Sequence, residues 1–153
     1  MVLFVVMKSF FAKIKKPRED INDLKFEQKV IYDSVVSVYC KILDSTVYFT
    51  SEGFNHLIYE SNRKPRNINE QFLKLKCVCY APRVIEKCKK ITETRQSKRK
   101  IKGKVKEIIQ YELIYEVFKD KTIKVIVEKV GTGKHKFHSV MPVRTKKRPK
   151  RRF

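Results

Sequence analysis

The sequence predicts an α+β fold in which N-terminal helices pack on a four-stranded antiparallel β-meander. Up to about Ile91 apolar residues recur mainly at helical intervals, whereas from Val105 onward β-branched and aromatic residues dominate three runs. Those runs are separated by Lys119-Asp120 and by Gly131-Thr132-Gly133-Lys134, both turn signals of the kind that joins antiparallel strands. Helices first and strands afterwards is the pattern of an α+β domain.

Pro17 followed by Glu19 and Asp20 suits the first turn of a helix, because carboxylates complement the exposed amide dipoles there. Ile21, Leu24, Val30, Ile31, Val35, Val38 and Ile42 continue at helical spacing, so a helix is expected over 19–43, although β-branched residues around Val35 and Val36 weaken it. A short strand is expected at 46–50. A second helix should start at Thr50 or Ser51, bury Phe54, Leu57 and Ile58, and carry His56. Residues 61–67 end it, because the residue before Pro65 avoids helical geometry. Asn67 with Glu70 three residues later resembles a capping box for a third helix through Val78, and Pro82 opens a fourth. The remaining strands are expected at 105–118, 121–130 and 135–143. Residues 1–18 read as an N-terminal extension, disordered or a short strand, with Val2–Val6 too short to span a bilayer. The domain is 19–143, and 144–153 is a basic tail.

Charge is the outlying property. Thirty-seven Lys and Arg against 16 Asp and Glu leave a formal +21, well beyond what solubility requires, so a polyanion is the expected partner. Residues 95–106 and 144–152 are basic runs without an acid. Such runs are ordinarily solvated linkers or tails; their functional reading is salt-sensitive attraction to phosphate. No long amphipathic basic helix accompanies them, which favours nucleic acid over a lipid surface. Lys64, Arg95, Lys98, Arg99, Lys100 and Lys134 are the candidate nucleic-acid-binding residues.

The four cysteines, Cys40, Cys77, Cys79 and Cys88, make no C-x-x-C pair. With His135 and His138 the only nearby partners by spacing, buried thiols are favoured over zinc, and no metal site is assigned. Free thiols suit a reducing cytoplasm.

Candidate chemistry gathers in two places. His56 can titrate near neutrality, and Arg63 and Arg66 in Asn-Arg-Lys-Pro-Arg can clamp a phosphate; the same residues also serve merely to hold RNA. In the last strand, strict alternation puts Phe137, Ser139 and Met141 on one face and His138 on the other, so only one of His138 and Ser139 is expected at a given site. The Gly131–Lys134 run lacks the spacing of a phosphate loop and lies between strands, G-x-S-x-G and H-E-x-x-H are absent, and scattered acids disfavour a two-metal nuclease.

The run T-S-E-G-F-N-H-L-I-Y-E-x-N-R-K-P-R, the following E-Q-F helix and a meander closing on H-S-V-M-P together resemble the small phage-type nucleases grouped with barnase, EndoU, colicin and RelE toxins, over about 49–142. The resemblance implies helices on a four-stranded meander and a metal-independent ribonuclease in which a 2′-hydroxyl attacks the adjacent phosphate. It implies His56 as the proton-transfer residue, Arg63 and Arg66 as stabilisers of phosphorane charge, Ser139 as a phosphate donor and His138 as the reserve acid or base. The expected function is therefore a cytoplasmic endoribonuclease without a cofactor, a toxin or phage-derived effector acting on ribosome-associated RNA or tRNA. A toxin implies an acidic antitoxin or immunity protein; a membrane partner is not expected. The alternative is a non-catalytic RNA-binding protein with sheet Tyr and Phe as stacking platforms.

Overall fold

The computed structural model describes residues 21–144; the expectations for 1–18 and for 145–153 lie outside the described residues. The fold is α+β. Helix α1 (Ile21–Val35) leads into a hairpin of β1 (Ser37–Cys40) and β2 (Ser45–Tyr48). Helices α2 (Ser51–Ile58) and α3 (Ile68–Cys77) follow, then a 3₁₀ turn (Val78–Tyr80) and α4 (Ala81–Lys87). The chain closes with β3 (Ile91–Ile101), β4 (Lys104–Phe118), β5 (Lys121–Val130) and β6 (His135–Pro142). Among the described residues, no helix is long and apolar enough to cross a membrane.

The sheet is larger than four strands and is mixed. It has six strands in the order β1-β2-β6-β5-β4-β3, antiparallel except where β2 meets β6. Three sequence expectations are corrected here. The helix expected over 19–43 stops at Val35, and Val36 takes φ 61°, a left-handed conformation that a β-branched side chain adopts only under strain. The β-branched run then forms a strand, as its crowding at χ1 favours. The basic run at 95–106 is not a linker: it forms the second half of β3, the turn and the start of β4, paired from Arg95↔Gln110 to Ile101↔Lys104. Its lysines and arginines guard an edge strand against pairing with other chains. The tip, Lys102 and Gly103 at φ 50° and 79°, has positive φ at both central residues, as a type I′ turn requires.

Helices cover one face of the sheet. Leu24, Leu75, Val84 and Ile85 meet Leu113, Ile123, Val125 and Val127 in a single core. β6 pairs with β2 at Val47↔His135 and Tyr48↔Lys136, and α2 and α3 pack against β6. The approach of α2 is very close. A Cβ on Gly53 would lie 2.6 Å from the Phe137 carbonyl oxygen, 2.5 Å from the Tyr32 hydroxyl and 2.9 Å from the Phe137 ring. Tyr32 is fixed in turn by a hydrogen bond to the Thr50 carbonyl and by edge contacts with Phe49 and Phe137.

Gly53→Ala should therefore destabilise the protein, although alanine is worth ~1 kcal/mol more than glycine in a helix. The carbonyl oxygen cannot turn aside, so a net loss on the order of 1–3 kcal/mol is expected in a urea unfolding curve, the range of an overpacked core. An unchanged midpoint would mean that α2 does not rest on β6 through this glycine.

Candidate functional site

Strict alternation fails in β6, and the site is built on that failure. Val125 pairs with Val140, Ile126 with Ser139 and Val127 with Phe137, so β6 carries one extra residue, His138, in a β-bulge. Phe137 and Val140 both enter the core, three positions apart. His138 and Ser139 both line the cavity on the other side, which corrects the expectation that only one of them could.

That cavity, about 340 Å³, lies where the uncovered sheet face meets α2 and α3. His138, Ser139 and Met141 come from β6, Lys124 and Ile126 from β5, and Gln110 and Glu112 from β4. Glu93 and Arg95 form its β3 rim; His56 on α2, Arg66 before α3, and Glu70 and Lys74 on α3 close the other wall.

His56 and His138 are in ring contact, with centroids 4.5 Å apart and planes at 47°. Burial pulls both imidazoles below the usual histidine range; Glu128 opposes the shift in each case, and each histidine sits near further positive charge. Glu128 organises this end of the site. Its Oε2 accepts a hydrogen bond from Gln110 Nε2 at 2.7 Å and lies 3.3 Å from His138 Nδ1, while Oε1 is 3.7 Å from Arg99 Nη1. A carboxylate oxygen 3.3 Å from Nδ1 favours a proton on that nitrogen, which leaves Nε2 of His138 as the nitrogen to take another.

At the other end Lys74 Nζ donates to Ser139 Oγ at 3.0 Å, and both residues are buried. The carboxylates of the cavity are each matched to a cation: Glu70 to Arg66 at 3.0 Å, Glu93 to Arg95 at 2.9 Å and Glu112 to Lys124 at 3.7 Å. Among the described residues, Lys74 has no carboxylate within ion-pair distance. Burial, with Arg66 adding to it, pulls its amine down to about 8. An ammonium buried without a counter-ion is costly to the fold and receptive to an anion.

The sequence candidates divide around this geometry. His56, His138, Ser139 and Arg66 meet at the cavity, Arg95 reaches it from β3, and Arg99 lines an adjoining pocket with His56, Arg66 and His138. Arg66 also has a structural task, since its Nε donates to the His56 carbonyl at 2.8 Å and so ties the C-terminal turn of α2 to the start of α3. Arg63 is not in the cavity. It sits exposed at φ 63° in the turn after α2 and faces a neighbouring groove that it shares with His56, Tyr59 and Arg99. Lys64 is exposed in the same turn. Lys98 and Lys100 alternate away from Arg95 and Arg99 along β3 and so face the opposite side of the ribbon. Lys134 lies near the β2–β6 junction, 4.7 Å from the Tyr48 ring centroid. Asn67 caps α3 through Asn69 and Glu70, but Glu70 turns to Arg66 rather than closing a capping box.

Lys74, Glu128, Gln110 and Glu112 were not among the sequence candidates. For Lys74 the signal was present: Gln71, Leu75 and Val78 surround it at helical spacing, which places a lysine on a buried face. Glu128 alternates with buried Val125 and Val127 like any outward strand residue and gave no such signal. Cys40, Cys77 and Cys88 are buried free thiols, with Cys77 pushed up to about 11 mainly by burial. Among the described residues, no three His, Cys, Asp or Glu side chains are grouped as metal ligands.

Lys74→Met tests the anion-receptive ammonium. In the wild type the folded state resists protonating this amine, so stability below about pH 8 carries a penalty that fades as pH rises toward the ordinary lysine value of 10.5. The variant should melt higher than wild type at pH 7, and its advantage should shrink between those two values. Binding of inorganic phosphate, followed by calorimetry, should weaken in the same variant. A lower melting temperature at pH 7 would contradict the assignment.

Comparison of the chain with family models, with curated proteins and with solved structures finds no match.

Proposed function

We propose that the protein is a metal-independent endoribonuclease that cleaves RNA by attack of a 2′-hydroxyl on the neighbouring phosphate. The observation that carries this reading is the His56–His138 pair opening into the same cavity as Lys74, a buried cation with no carboxylate partner among the described residues. Two neighbouring imidazoles can exchange protons with the attacking and leaving oxygens, and a fixed ammonium can meet the charge that grows on the phosphorane.

The rings are in contact, so a phosphate lies across their outward nitrogens rather than between them. His138, oriented by Glu128, takes the proton of the 2′-hydroxyl at Nε2. His56 in its protonated form delivers one to the departing 5′-oxygen. Lys74 and the unspent donors of Arg66 stabilise the non-bridging oxygens, and Ser139 donates to one of them. The products are a 2′,3′-cyclic phosphate and a 5′-hydroxyl. Relative to the sequence-based roles, His138 becomes a principal group, and Arg63 moves to substrate binding in the adjoining groove. The resemblance to phage-type nucleases agrees with this chemistry, and a cytoplasmic toxin or effector with an acidic neutralising partner is the biological setting we infer from it.

A non-catalytic RNA-binding role has one observation in its favour: many exposed cations lie on the β3–β4 hairpin, beyond the cavity. The two readings separate in one assay. Structured cellular RNA incubated in EDTA should yield fragments with 2′,3′-cyclic ends, and His56→Ala and His138→Ala should each lower the rate about 10²–10⁴-fold while RNA affinity is nearly kept. Because burial lowers both imidazoles, kcat/KM should follow a bell with its optimum on the acid side of pH 6.5. Intact RNA with undiminished binding would leave the binding role.

A further inference from the structure

The β3–β4 hairpin does not end with the sheet. The first pair between β4 and β5 is Ile108↔Val130, whereas β3 and β4 continue together to Ile101↔Lys104. Beyond the Glu107 carbonyl, which accepts from the Gly131 N–H at 2.7 Å, Lys98–Ile101 and Lys104–Glu107 run on past β5 as a two-stranded ribbon of roughly 13 Å at ~3.3 Å per residue. It is closed by the Lys102-Gly103 turn. Its cations are Lys98, Arg99, Lys100, Lys102, Lys104 and Lys106, and its one carboxylate is Glu107.

Cross-strand pairs share a face, so Arg99 and Lys106 lie on the face that leads back to the cavity, with Lys104 beyond them. Lys98 and Lys100 lie on the reverse with Glu107. Edge protection alone does not require this: one or two lysines blunt an edge, whereas here both strands, both faces and the tip are charged. The ribbon also lacks an aromatic residue, the usual platform for an unpaired base. Positive charge on two opposite faces, with nothing to stack on, matches a groove with a phosphate rim on either side.

We infer that the β3–β4 ribbon grips a double-stranded RNA stem by its phosphates, and that the unpaired nucleotides flanking that stem are the ones delivered to the His56–His138 cavity. Arg99 marks the join, since it stands on the ribbon and also lines the space beside both histidines. From Arg99 to the tip at Lys102 is about 10 Å along the strand, so a stem seated on the ribbon ends next to the cavity. Recognition of this kind reads the shape and backbone of the duplex rather than its sequence. The inference rests on RNA as the partner proposed above; it does not require cleavage.

The test measures fluorescence anisotropy of the full chain with two labelled RNAs, a blunt stem longer than one helical turn and an unstructured single strand. Wild type is compared with a Lys98→Thr, Lys100→Thr, Lys102→Asn, Lys106→Thr variant. Threonine keeps strand propensity, and asparagine before glycine suits the type I′ turn, so the hairpin is preserved while its charge is removed. The stem should lose at least about tenfold in affinity and its log–log salt slope should fall by about 3–4, the consequence of four fewer phosphate contacts. The single strand should change by less than about threefold, because its binding relies on the groove and basic residues elsewhere. Glu107→Lys, a second and independent variant, should tighten the stem complex. Equal losses for stem and single strand would overturn the inference, as would an unchanged stem affinity, or loss of binding to phosphatidylserine vesicles with the stem complex retained. Cleavage without stem preference would leave the nuclease reading intact and remove this one; stem binding through the ribbon without cleavage would do the reverse.

Discussion

One inserted residue in β6 governs the geometry of everything around it. With Phe137 and Val140 both required in the core, the chain between them must place two consecutive side chains on the other side, and those are His138 and Ser139. The bulge is held from both directions. Val125 and Val127 in β5 fix the register on one flank, and α2 presses on the other through Gly53, where the Phe137 carbonyl leaves no room for a side chain. A site formed this way is positioned by the packing of the core, so it needs no loop to close over it.

The same constraint ties two distant stretches of sequence into one electrostatic unit. α2 can bring His56 to His138 only because it lies against β6, and α3 can bring Lys74 to Ser139 only because Arg66 locks the turn between the helices. Burial then acts in opposite senses on fold and site. It depresses the imidazoles and the Lys74 amine, costing stability, and it leaves a buried positive charge that an incoming phosphate can neutralise. Beyond the cavity the surface changes character: the β3–β4 ribbon is mostly exposed positive charge on a regular backbone, suited to long-range attraction of a polyanion.

Much of this was legible in the sequence where local rules and tertiary packing agree. The helix starting at Ser51, the Asn67 cap and the three long strands were readable from spacing and turn residues. The end of α1 was not, because Val36 occupies a conformation its type disfavours, held by the adjoining β1–β2 pairing and by the Phe49 N–H, which donates to its carbonyl at 2.9 Å. The basic run of β3 was read as a linker since charge masks strand alternation when neither face is buried. The bulge left a visible trace, two polar residues between Phe137 and Val140, but a strictly alternating reading forces a choice between them. Glu128 was invisible, because its importance comes from which side chains cross-strand pairing brings to it.

The central claim is that the bulge joins His56 and His138 into one proton-transfer unit, and the most direct measurement is single-turnover cleavage in EDTA by His56→Ala, His138→Ala and the double variant. Groups that act as a unit are non-additive, so the double variant should be about as slow as either single one. Losses that multiply, or full activity retained by His138→Ala, would contradict it.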